Sequence, residues 1–144
     1  MEFVTLAKET LNIYINSILN DTIDFEYNNW DKANFYIDLP QKWEYSVAVI
    51  NDGSISGFSI NSRKSGIFYI HFFYIFKKFR KYKLGTALLK ECEKRGKETR
   101  LQAIRLKCNK NNSSALNFYL KNGYEIIDTD LTEKDLYLLE KKIK

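Results

Sequence analysis

With 144 residues the chain can bury one substantial core and is too short for two domains of ordinary size. Hydrophobic residues at 44% against charged residues at 28% exclude a disordered chain, which lacks the apolar surface to offset ordering entropy. The two cysteines, Cys92 and Cys108, have neither zinc nor disulfide spacing, and the Lys8-Glu9 pair interrupts the N-terminus before any long apolar run. A reduced, cytoplasmic protein without metal or membrane insertion is expected, since the longest apolar stretch, Ile67 to Phe76, is well short of a span.

Leu6, Leu11, Tyr14, Ile18 and Leu19 recur at helical spacing and predict an amphipathic helix from Thr5 to Asn20. A shorter helix is expected from Trp30 to Ile37, ending before Pro40, whose ring disfavours helical geometry in the preceding residue. Tyr45 to Ile50 and Ile55 to Ile60 read as a hairpin around Asn51-Asp52-Gly53-Ser54. A second turn is expected over Asn61 to Gly66. Gly66 to Phe76 is then apolar on both parities, as in a central strand covered on both faces.

From Leu84 to Arg95 the period changes to helical, with Gly96 as the stop signal. Ala103 to Cys108 reads as a strand, Ser113 to Lys121 as a helix capped by Asn112 and ended by Asn122-Gly123, and Tyr124 to Asp128 and Leu136 to Ile143 as two last strands. The order of elements predicts an α/β protein with a mixed sheet.

The formal charge of +5 is concentrated, because Lys77-Lys78-Phe79-Arg80-Lys81-Tyr82-Lys83 leads from the central strand into a helix N-terminus. Unpaired amides and the positive end of the helix dipole converge at such a junction and favour phosphate. Gly85 lets the chain pass close to a ligand, and Thr86 adds a hydroxyl. On charge alone a nucleic acid, a phosphorylated cofactor, an anionic surface or plain solvation fits the segment.

Arg80-Lys81-Tyr82-Lys83-Leu84-Gly85 resembles the pyrophosphate loop Q/R-x-x-G-x-G/A of the GCN5-related N-acetyltransferase (GNAT) superfamily, with Lys83 where the family usually has its first glycine. Cys108 to Tyr124 resembles the family segment V-x-x-x-N-x-x-A-x-x-F/L-Y-x-K-x-G-F, with Asn112, Ala115, Tyr119, Gly123 and Tyr124 in register. Val47 to Phe58 is similar to the hairpin ahead of the cofactor strand. The resemblance implies a GNAT-like, mostly antiparallel sheet flanked by about four helices. It also implies a single domain, with variable acceptor-side helices over 1–44, a cofactor-binding core over 45–128 and a terminal strand over 129–144.

The same resemblance implies acetyl-CoA as acyl donor and direct attack by a primary amine in a ternary complex. Tyr119 would protonate or hydrogen-bond the departing sulfur, Ile75 would pair its backbone with the pantetheine arm and Asn112 would steady that arm. Arg80, Lys81, Lys83, Gly85 and Thr86 would hold the diphosphate. The base is either His71, nine residues before Arg80 and with an imidazole pKa suited to the task, or a chain of waters. The acceptor is a small amine or a peptide or protein amine, and Asp21, Asp24, Glu26 and Asp31 either favour a cationic one or form a solvated loop. A homodimer is compatible with all of this, and no nucleic acid is expected. The competing readings are a non-catalytic basic module that stacks bases on Phe79 and Tyr82, and an acyl-CoA sensor without turnover.

Overall fold

The computed structural model describes residues 1–129 and 134–144. Residues 130–133, within the stretch expected to end the chain as a terminal strand, lie outside the described residues. Seven strands form one sheet in the order β1-β2-β3-β4-β5-β7-β6: β1 Glu2–Thr5, β2 Val47–Asn51, β3 Ser54–Lys64, β4 Ile67–Ile75, β5 Ala103–Asn109, β6 Glu125–Thr129 and β7 Leu136–Lys142. Every neighbouring pair is antiparallel except β4 and β5. Parallel neighbours need a crossover, which α4 (Leu84–Glu98) supplies. The other helices are α1 Lys8–Thr22, α2 Lys32–Tyr36, α3 Lys42–Tyr45 and α5 Ser113–Lys121, with a 3₁₀ turn over Lys77–Tyr82. Among the described residues no helix is long and apolar enough to cross a membrane.

Both faces of the sheet are covered. Val47, Val49, Phe68, Ile70, Ile104 and Leu139 pack with Leu88, Leu89 and Cys92 of α4 and Tyr119 of α5. On the other face Ala48, Ile50, Phe58, Ile60 and Phe72 pack with Leu11, Ile15 and Ile18 of α1 and Phe35 of α2. This two-sided burial is why β2 reads as an unbroken apolar run.

Three expectations change. The first helix starts at Lys8, because Glu2–Thr5 pairs with β2 as an edge strand. The turn expected from Asn61 is absent, and β3 continues to Lys64 with Asn61 and Ser62 buried inside the sheet. Asn61 is tolerated there because its amide donates to the Tyr45 carbonyl at 2.9 Å and its Oδ1 accepts from the Ser59 hydroxyl at 2.6 Å. The chain reverses instead at Ser65 and Gly66, both with positive φ. Finally, Gly96 lies buried inside α4, which runs on to Glu98. A Cβ there would stand 2.5 Å from Ile143 Cδ1, so the glycine serves close packing rather than helix termination.

Candidate active site

β4 and β5 pair only over Phe68–Ile70 and Ile104–Leu106 before separating. On the opposite edge Asn61 faces Ile70 and Ile60 faces Phe72, which leaves His71 as the extra residue of a β-bulge. One inserted residue reverses the alternation of side chains. Phe68 and Ile70 therefore lie in the core under α4, whereas Phe72, Tyr74 and Phe76 lie in the core under α1.

Between the separated strands lies a cavity of about 840 Å³, walled by Ile70, His71 and Phe73, by Leu106–Asn109, and by the loop from Phe25 to Trp30. A narrower groove of about 450 Å³ runs along Tyr74 and Ile75 to Arg80, Lys83, Gly85 and Thr86. Phe25, Phe73, Asn112, Ala115 and Tyr119 line both spaces, so the two meet at the N-terminal half of α5.

Tyr119 is only 7% exposed, with its ring set edge-on to Phe73, Phe118 and Tyr124. Among the described residues no fully buried polar side-chain atom lacks a partner, and none hydrogen-bonds the Tyr119 hydroxyl, which therefore ends at the cavity surface. Burial pushes its pKa well up, so the phenol stays protonated and can donate. Asn112 caps α5, its Oδ1 accepting from the Ala115 amide at 3.2 Å, which leaves its NH₂ for other partners.

The helix start at α4 has the form expected of an anion site. Lys83, at φ 55° and ψ 25°, occupies the N-cap without a side-chain hydrogen bond. The first intrahelical bond runs from the Ala87 amide to the Lys83 carbonyl at 3.4 Å, so the amides of Leu84, Gly85 and Thr86 precede it. Gly85 has no positive φ, and a Cβ there would meet Phe118 at 3.5 Å and Ile75 at 3.7 Å, ordinary contact distances. The packing of the protein alone therefore does not require glycine at 85. A diphosphate fits these amides and the flanking Lys83 and Arg80.

Arg80 donates from Nε to the Ile75 carbonyl at 3.0 Å and lies over the Tyr74 ring at 5.2 Å. The Ile75 backbone, expected to pair with a pantetheine arm, lines the narrower groove, and its carbonyl already accepts this one bond from Arg80. Lys81 is exposed and lies outside the lining of both spaces.

His71 lies at the wall of the wider cavity, its Nε2 2.6 Å from Ser62 Oγ and its ring stacked on Tyr69. Although the ring keeps solvent access from the cavity, partial desolvation at its wall, followed by the positive charges of Lys42, Lys64 and Lys107, pushes its pKa down to about 4. The imidazole is neutral at ordinary pH, and in the tautomer whose Nε2–H donates to Ser62 Oγ it is Nδ1 that can take a proton. Cys108 lines the same cavity, and burial pushes its thiol up to about 11, so it is not a ready thiolate nucleophile.

The acidic residues expected to attract a cation are committed elsewhere. Asp21 accepts from the Tyr74 hydroxyl and the Lys77 amide, Asp24 pairs with Lys77, and Asp31 caps α2. Neither they nor Glu26 line either space. Phe25, Tyr27, Tyr74 and Ser62 escaped the sequence reading. The aromatic residues scattered among those acids were the available signal for the first two.

The model of the acetyltransferase (GNAT) family matches residues 15–124. No curated protein gives a significant sequence match. Among solved structures, Ard1 from Thermoplasma volcanium superposes with a TM-score of 0.83 at 21% identity, covering 98% of this chain and 96% of that one. The ribosomal-protein-S18-alanine N-acetyltransferase from Escherichia coli gives 0.82 at 13% identity, covering 99% and 93%. Arabidopsis thaliana Naa50, in complex with the bisubstrate analogue CoA-Ac-MVNAL, gives 0.75 at 18% identity, covering 97% of each chain. At these identities the superpositions establish the fold, and the family match spans most of the chain. With its splayed central strands and its uncapped helix start, the chain belongs to the GNAT acetyltransferase family and is an acyl-CoA-dependent acyltransferase.

Proposed function

We propose that the protein transfers an acetyl group from acetyl-CoA to a primary amine by direct attack within a ternary complex. The observation that carries this reading is the junction of the two spaces at Tyr119, a buried phenol that lines both and whose hydroxyl has no hydrogen-bond partner among the described residues. The narrower groove takes the cofactor, with the first-turn amides of α4, Lys83 and Arg80 on the diphosphate and the Asn112 amide on the arm. The wider cavity takes the amine.

Acetyl-CoA supplies an acyl group as a thioester. The amine nitrogen attacks the carbonyl carbon, the carbon–sulfur bond breaks and the departing sulfur takes a proton from the Tyr119 hydroxyl. The amine proton leaves through Nδ1 of neutral His71 or a water chain, and Tyr119 is reprotonated from solvent. The raised Cys108 pKa favours direct attack over an acyl-cysteine step. Residues 1–44 form the acceptor side and 45–128 the cofactor core.

A peptide N-terminus is the favoured acceptor. The aromatic wall of Phe25, Tyr27 and Trp30 with Asn28, Asn29 and Asn109 suits an extended backbone, and the alanine N-acetyltransferase and the peptide-bearing Naa50 complex share the fold. The test is an acceptor screen with acetyl-CoA read by free-thiol release, across polyamines, amino sugars, lysine peptides and peptides with free or blocked N-termini. Turnover is expected with free N-termini and not with blocked ones. Binding of CoA without turnover on any acceptor would favour the sensor reading, and tighter binding of an oligonucleotide than of CoA the basic module.

A further inference from the structure

The loop that walls the acceptor cavity is fastened to the turn that precedes the diphosphate site. Asp21 lies in the last turn of α1, where a negative charge opposes the helix dipole and no basic side chain offsets it. A residue that breaks a local rule calls for a compensating partner elsewhere. The partners are distant in sequence. The Tyr74 hydroxyl lies 2.7 Å from the Asp21 carbonyl and 2.8 Å from its Oδ2, and the Lys77 amide donates to the same Oδ2 at 3.1 Å. Lys77 Nζ also pairs with Asp24.

Tyr74 is buried and touches both halves of the site. Arg80 lies over its ring at 5.2 Å, and Phe25 packs against it edge-on at 5.5 Å. Phe25 in turn lines both the groove and the wider cavity. Contacts therefore run from Arg80 through Tyr74 to Phe25 on the acceptor wall, and from Tyr74 to Asp21 just ahead of the loop that forms it.

We propose that Asp21 is a positioning residue that, with Tyr74, ties the acceptor loop 23–30 to the turn Lys77–Tyr82, so that filling the cofactor groove orders the acceptor wall. This rests on the assignment of the groove to CoA. By linkage, an ordered wall in turn favours cofactor binding.

The experiment is hydrogen–deuterium exchange of the whole chain with and without CoA, in wild type, Tyr74→Phe, Asp21→Asn and Asp21→Ala. Phenylalanine at 74 keeps the ring and deletes the hydroxyl, while asparagine at 21 keeps an acceptor without the charge. In wild type CoA should slow exchange over 77–86 and, by about fivefold or more, over 23–30. Tyr74→Phe and Asp21→Ala should retain the first effect and lose the second, with Asp21→Asn in between. If Tyr74→Phe does not fold, the two Asp21 variants carry the comparison. Protection of 23–30 that is equal in wild type and variants, or missing in wild type while 77–86 is protected, overturns the coupling alone. No protection over 77–86 overturns the cofactor site and the coupling with it.

Discussion

Gly85→Ala separates what the fold requires from what the ligand requires. The added methyl would sit 3.5 Å from the Phe118 ring and 3.7 Å from Ile75 Cγ1, so it fits without displacing either. Alanine also restricts the unfolded chain, and in a helix it is favoured over glycine by about 0.5–1 kcal/mol. The ligand-free variant should therefore be as stable as wild type or slightly more so. Phe118 and Ile75 both line the narrower groove, so the methyl narrows the path along the first turn of α4. Crowding of that size costs about 1–3 kcal/mol, or roughly 5- to 150-fold in Kd for CoA. Titration calorimetry with CoA and a ligand-free thermal melt decide the matter together. Unchanged affinity would show that no ligand passes close to Gly85, and a loss of stability would show that the glycine serves packing.

Tyr119→Phe should keep the ring contacts with Phe73 and Tyr124 and bind acetyl-CoA normally, while kcat and kcat/KM fall together by about 2–4 kcal/mol in transition-state stabilisation. Poor acetyl-CoA binding with kcat intact would make the hydroxyl a binding contact instead. If His71 is the base, its pKa of about 4 puts the acid limb of kcat near pH 4 and leaves activity flat through pH 6 to 8, where an unshifted imidazole would titrate. Because the folded pKa lies below the unfolded value of about 6.5, the unfolded chain binds more protons between them, and stability falls as pH drops through that window. His71→Gln should flatten that part of the melting profile, and an unchanged profile would refute the shift. Lys83→Gly should relieve a left-handed lysine, a gain of about 1–2 kcal/mol partly offset by unfolded-state entropy, so that stability rises slightly or stays level in denaturant titration. A clear loss would mean that the Lys83 side chain makes contacts worth more than the strain.

The parts of the site legible in the sequence were those carried by local chemistry. Asn112 as a cap, Gly85 at a helix start and Tyr119 one helix later stand at fixed offsets along the chain, and each occupies the position those offsets imply. Contacts between segments far apart in sequence were not legible. Asp21, Asp24 and Asp31 read as a loop of acids facing a cation, yet their partners are Tyr74, Lys77 and the start of α2. Likewise Asn61 and Ser62 have the composition of a turn, and partners such as the Tyr45 carbonyl, Ser46, Ser59 and His71 beside them show why they belong inside the sheet.

The apolar run from Ile67 to Phe76 shows how one residue sets the architecture. Apolar side chains on both parities are consistent with a straight strand buried on both faces, and that reading of the run is correct as far as it goes. What periodicity does not reveal is that the parity changes hands midway: His71 is unpaired against β3, so the even-numbered side chains pass from the core under α4 to the core under α1, while Phe73 and Ile75 turn to the α4 side. The same bulge comes directly after Ile70, where β4 stops pairing with β5. The bend and the loss of the ladder coincide, and together they open the space that Tyr119 reaches from α5. A polar histidine at this point in an apolar strand is thus explained by position: the bulge removes it from the ladder, Ser62 satisfies one ring nitrogen and the cavity receives the rest of the ring. Its place at the wall follows from backbone geometry whether or not it moves a proton, which is why the pH profile, and not its location, decides its chemical role.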